Sequence, residues 1–292
     1  MQFISNSITA LPCSWLPLAT SSQKGNAPQL IAISAQLNLR YNDYNNLILN
    51  YQNSLTQTSF QGSYDVLTDF YNHAPKELNR LLKIKRNDHG LSRCPYCGNP
   101  RAPDTLDHFV PKDDWPEFSI FANNLVPQCR TCAPIKGKKY YCSQNNIVMF
   151  THPFYFNLLD LFRFKINVSF DIENSKPTFE VKIIKQTTVG QNDIARIKLH
   201  LEKLDVLSRV KQYCRAQFIS WSNKLRRNNF NIIDAFATRL SELPRADIGK
   251  DWESAFFAGM MECEEAIQYL HSLRPVGQQI IEEELELEEI EL

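Results

Sequence analysis

The 292-residue chain is short of glycine, with only nine, and it has no apolar run long enough to span a bilayer. So few glycines exclude architectures that need many left-handed turns and point to a helix-rich body. The opening stretch, MQFISNSITALPCSWLPLATSS, lacks a basic leader and is interrupted by Ser, Thr and Pro, so it does not read as a secretion signal. Without one, the eight cysteines are expected to be reduced thiols in the cytoplasm, away from any membrane. Net charge is also missing, since 32 basic residues face 32 acidic ones. That balance hides an asymmetry. The tail IEEELELEEIEL (281–292) holds seven glutamates and no basic residue, so residues 1–280 keep 32 basic against 25 acidic side chains. A basic body is compatible with nucleic-acid binding. The tail is expected either to lack fixed structure or to dock on a basic surface, its own or a partner's.

Hydrophobic residues make up 43% and charged residues 22%, the balance of a folded globular chain. Leu30, Ile33, Leu37, Tyr41, Tyr44 and Ile48 recur at spacings of three and four, which predicts a helix. A second helical segment, SYDVLTDFYNHAPKELNRLLKIKR, is expected to break at Pro75. FRFKINVSFDI and KPTFEVKIIK alternate around ENS and predict a β-hairpin. From Gln191 to Arg227 one long amphipathic helix is expected, striped by Ile194, Ile197, Leu201, Leu204 and Leu207. NIIDAFATRLSEL and DWESAFFAGMMECEEAIQYLHSL predict two more helices. There is no internal repeat.

Between these helical regions lie CPYC (Cys94, Cys97) and CRTC (Cys129, Cys132), with residues 98–128 separating the pairs. A two-residue gap lets both thiolates of a pair face one ion, and two pairs complete a tetrahedral four-sulfur shell for structural Zn²⁺. Such an ion would supply folding energy that a short, loop-rich insert lacks. A redox role would need one pair at a helix start within a βαβ unit, and no such pattern surrounds either. Four sulfurs would also saturate the zinc, leaving no open position for hydrolytic chemistry on small molecules.

Inside and just beyond the clip, in order, come CPYCG, LDHFVPK, NNLVPQCRTC and KG. This run, over roughly residues 94–140, resembles the HNH endonucleases, the ββα-metal nuclease family, in the version braced by two CxxC knuckles. HPFYF at 152–156 is similar to a His-Pro-aromatic element that often follows such cores. The resemblance implies two short strands and a helix gripping a divalent ion. By position it makes Asp107 a ligand of that ion, Mg²⁺ or Mn²⁺, and His108 the general base. Asn124 becomes the asparagine that ties the loop together. Elementary chemistry agrees: a hard carboxylate suits such ions, and an imidazole suits proton abstraction near neutral pH. Arg101, Lys112, Lys136 and Lys138 are expected to steady the phosphodiester.

One position departs from the pattern. The residue after the second knuckle, normally histidine or asparagine and a catalytic-metal ligand in this family, is Ala133. Three explanations stand open. The core binds nucleic acid without cutting it, or Asp113, Asp114, Asn123 or His152 substitutes, or a ligand was replaced by alanine. Retention of Asp107, His108 and Asn124 favours the last. Arg196, Lys198, Lys203, Arg209, Lys211, Arg215, Lys224, Arg226 and Arg227, interleaved with Tyr213, Phe218 and Trp221, form a face that could track phosphates or simply be solvated.

The expected fold is α+β and predominantly helical, with a small central ββα-metal core. The divisions are a helical region over 1–93, the core over 94–156, a hairpin plus helices over 157–280, and the tail. The expected function is metal-dependent endonuclease action on DNA, and the resemblance implies antiviral defence with an ATPase partner. The alternative is an inactive, zinc-stabilised nucleic-acid-binding or adaptor protein.

Overall fold

A computed structural model describes residues 1–275, so the expectation for the tail over 281–292 lies outside the described residues. The chain is α+β. About half of the described residues are helical, and the strands form three separate two-stranded antiparallel sheets.

The N-terminal part contributes α1 (Trp15–Thr20), α2 (Ala27–Leu49), α3 (Tyr64–Asn72) and α4 (Lys76–Asn87). In α2 the residues at spacings of three and four, Leu30, Leu37, Tyr41, Tyr44 and Ile48, are buried, while Ile33 packs at the margin. Pro75 separates α3 from α4, sitting just before the first turn of α4, where its missing N–H costs nothing. The central segment holds β1 (Thr105–His108), β2 (Leu125–Gln128) and the single-turn α5 (Ala133–Lys136). A small ladder follows, β3 (Tyr141–Cys142) with β4 (Ile147–Val148).

Next comes the predicted hairpin, β5 (Phe162–Asp171) and β6 (Lys176–Lys185), in register from Phe162 opposite Lys185 to Asp171 opposite Lys176. Alternation decides its faces: Phe162, Phe164 and Ile166 on β5, and Phe179 and Val181 on β6, are buried. Against it pack α7 (Val206–Arg227) and α9 (Trp252–Met261), flanked by α6 (Gln191–Lys203), α8 (Ile232–Ser241) and α10 (Glu264–Ser272). Asp251 caps α9 by accepting a hydrogen bond from the Ser254 N–H at 2.8 Å.

The single helix expected over 191–227 is two. Leu204 is fully buried and Asp205 turns left-handed at φ 48°, so α7 leaves in a new direction. Aspartate tolerates that conformation better than most residues, and an apolar stripe carries no sign of it. One continuous apolar cluster runs from α1 to α10, so the three predicted divisions share a core.

Candidate active site and metal centre

β1 and β2 pair antiparallel with Asp107 opposite Val126 and His108 opposite Leu125, and the two CxxC pairs flank this hairpin in sequence. All four cysteines are buried, their sulfurs lie within 4.8 Å of one another, and Cys97 Sγ sits 3.8 Å from Cys129 Sγ. Tetrahedral coordination with metal–sulfur bonds of about 2.3 Å places neighbouring sulfurs about 3.8 Å apart. The donor set therefore fits a soft ion such as zinc. Hydrogen bonds from Cys132, Cys94 and Cys97 hold the Cys129 thiol far below its ordinary pKa, whereas burial pushes the Cys97 thiol up. After the first pair the chain turns at Gly98, φ 75°, where a Cβ would lie 2.8 Å from the Lys250 carbonyl oxygen. Only glycine fits that turn. Trp252 donates its indole N–H to the Cys97 carbonyl at 2.6 Å, joining α9 to the knuckle.

His108 ends β1. Its Nε2 lies 2.9 Å from the Ser119 carbonyl, which can only accept, so Nε2 carries the proton and Nδ1 presents a lone pair. The Tyr71 ring meets it edge-on at 4.4 Å. Burial pushes the imidazole pKa down to about 3, so the ring is neutral at pH 7.

Asn124 is fully buried and uses its whole amide. Its oxygen accepts from the Val110 N–H at 2.7 Å and the Tyr44 hydroxyl at 2.8 Å, and its nitrogen donates to the Val110 and Phe118 carbonyls at 3.0 and 3.1 Å. It ties the loop between β1 and β2 at both ends and to α2.

The expected divalent-ion site is not assembled. One oxygen of Asp107 pairs with Lys136 Nζ at 2.9 Å, and the other accepts from the Tyr96 hydroxyl at 2.7 Å. Lys136 is fully buried and also donates to the His108 and Phe109 carbonyls at 3.1 and 3.3 Å. Its ammonium fills the cation position beside the carboxylate. Ala133, three residues earlier and so on the same side of α5, offers only a methyl group. As they stand, the residues do not fit Mg²⁺ or Mn²⁺.

Three of the four expected substitutes are committed elsewhere. Asp113 pairs with Lys138 at 2.8 Å and Lys112 at 3.5 Å, and the Lys138 hydrogen bond holds its carboxyl below the usual range. Asn123 is bound through both side-chain atoms to the backbone of Thr9. His152 is a core histidine, 4.2 Å from the Phe109 ring, with burial holding it neutral. Asp114 is exposed.

Of the predicted phosphate-binding residues, Lys138, Arg101 and half-buried Lys112 are accessible, whereas Lys136 is not. The basic face expected on 191–227 also loses members. Arg196 is buried, 3.7 Å from the Tyr51 ring centre and 4.2 Å from that of Phe156. Arg209 lies on the cysteine sulfurs, and Phe218 and Trp221 are core residues. Tyr96, Tyr71, Ser119 and Arg209 were not foreseen at the site. Only Tyr96 had a signal, its place inside CPYC. A cavity of about 640 Å³ lies away from His108, between the hairpin and the α6–α7 junction.

No described helix is long and apolar enough to cross a membrane. No protein-family model and no solved structure matches the chain. Over 69 residues it is 48% identical to protein ea31 of Escherichia phage lambda, a match that spans 23% of this chain and 23% of that protein.

Proposed function

We propose that β1, β2 and α5 form an HNH-type phosphodiester hydrolase core acting on DNA in the cytoplasm, short of one ligand for its hydrolytic cation. The observation that carries this reading is the state of His108. Its proton is fixed on Nε2 by the Ser119 carbonyl, and it stands on a strand whose loop Asn124 ties at both ends. A neutral imidazole with a free Nδ1 can take a proton from water attacking a phosphodiester. Arg101, after the first knuckle, and Lys112 and Lys138, which share the single Asp113 carboxylate, leave a net positive charge for the strand. Zinc on the four sulfurs would brace the hairpin that carries these groups.

A second reading, a non-cutting nucleic-acid-binding or adaptor protein, draws on the Lys136–Asp107 pair, which already neutralises the carboxylate a cation would need. Plasmid incubated with Mn²⁺ or Mg²⁺ separates the two. On the nuclease reading, Ala133→His or Ala133→Asn nicks plasmid faster than the unaltered chain. Absence of cutting in every version, with DNA still retarded on a gel, establishes the adaptor. A defence role with an ATPase partner belongs to the nuclease reading, and loss of protection on His108→Ala in a plaque assay tests it.

A further inference from the structure

The knuckle sulfurs receive a charged group from far along the chain. Arg209, in the first turn of α7, donates through Nη1 to Cys132 Sγ at 3.4 Å and the Leu204 carbonyl at 3.1 Å. Through Nη2 it reaches Thr131 Oγ1 at 2.6 Å, Cys97 Sγ at 3.7 Å and Cys129 Sγ at 3.9 Å. The Trp252 ring lies beneath, 5.3 Å from the guanidinium carbon. Among the described residues no other charged side chain donates to these four sulfurs. The left-handed turn at Asp205 starts α7 in the direction that puts Arg209 there.

We propose that Arg209 is the counter-charge of the four-sulfur metal centre, setting how tightly the metal is held and how reactive its thiolates are. A divalent ion on four thiolates keeps two net negative charges. Here those charges are buried, where solvent screens them poorly. A guanidinium is permanently charged, planar and forked, so it spans three sulfurs at once, whereas an ammonium would meet one. Charge-assisted N–H···S bonds draw electron density from the sulfurs, which slows their protonation and alkylation and hence metal loss. With no lone pair to offer, Arg209 is a positioning residue and not a ligand. Its contacts bridge 77 to 112 positions of sequence, so the ion that closes the insert also holds α7 against it. This inference rests on the sulfur centre alone, and no cleavage result bears on it.

The test uses the full chain loaded with zinc, beside Arg209→Met and Arg209→Lys. Zinc transfer to a chromophoric chelator is timed, and the sulfur-to-metal charge-transfer band is recorded after Co²⁺ replacement. Arg209→Met is expected to release zinc about 10- to 100-fold faster. Its cobalt band should move to lower energy, because the sulfurs become more electron-rich, and Arg209→Lys should recover part of both effects. Loss of packing against Trp252 would lower the melting temperature without moving the band. An unchanged band and release rate in Arg209→Met overturns the proposal, as does a purified chain that takes up neither metal.

Discussion

At the residue scale, the chemistry of this core is governed by which buried groups are already satisfied. Asp107 and Lys136 neutralise each other at 7% and 0% side-chain exposure. Removing one partner from a buried pair leaves the other uncompensated, so Lys136→Met is expected to cost about 3 kcal/mol in a urea titration. Adding Asp107→Leu to that variant should recover much of the loss, and failure to recover any would show that Lys136 acts through its carbonyl contacts instead. His200 sets a pH limit. Its Nδ1 accepts from the Thr151 N–H at 3.2 Å, its Nε2 donates to the Tyr96 carbonyl at 2.8 Å, and burial pushes its pKa down to about 4. The unfolded chain takes up this proton near pH 6.5, before the folded one does. The stabilisation is therefore complete above about pH 6.5 and is lost as pH falls towards 4, by about 3 kcal/mol in full. His152 is shifted the same way. Urea midpoints at pH 7.5, 6 and 5 should fall in that order, and equal midpoints would show that His200 is not held neutral.

Asp107, His108, Asn124 and the four cysteines stood out in the sequence because close spacing and local motifs mark them. Lys136 and Arg209 had no such signal for their roles, and Tyr96 had only its place inside CPYC. Each is defined by a partner that only folding brings near, and basic side chains at a site look like phosphate contacts until their burial is known.

At the element scale, the hairpin and most helices were legible because alternation and three-four spacing report burial directly. The break between α6 and α7 was not, since an apolar stripe continues through Leu204 whether or not the next residue turns left-handed. A close approach is equally silent in sequence. Gly259 in α9 lies against the backbone of β5, and a Cβ there would collide with the Ile166 carbonyl oxygen. Gly259→Ala is expected to cost about 2 kcal/mol or more in chemical denaturation, as the strand and helix are forced apart. A loss below about 0.5 kcal/mol, the level of an indifferent surface change, would mean that the two elements separate easily.

At the scale of the whole molecule, the four-cysteine cluster and its hairpin are gripped by helices from distant parts of the chain. Trp252 of α9 binds the first knuckle, Tyr44 of α2 binds Asn124, and Arg209 of α7 lies on the sulfurs. The hairpin that carries Asp107 and His108 is thus held by three distant helices, and its Asp107 carboxylate is engaged by Lys136. Composition could not show this arrangement, because the zero net charge and the basic body say nothing about which cations are buried. The most direct measurement is the rate of Mn²⁺-dependent plasmid nicking by Ala133→His beside the double variant Ala133→His, His108→Ala. Nicking by the first and its loss in the second is expected. Equal rates in the two, or none in either, would contradict a hydrolytic role for His108.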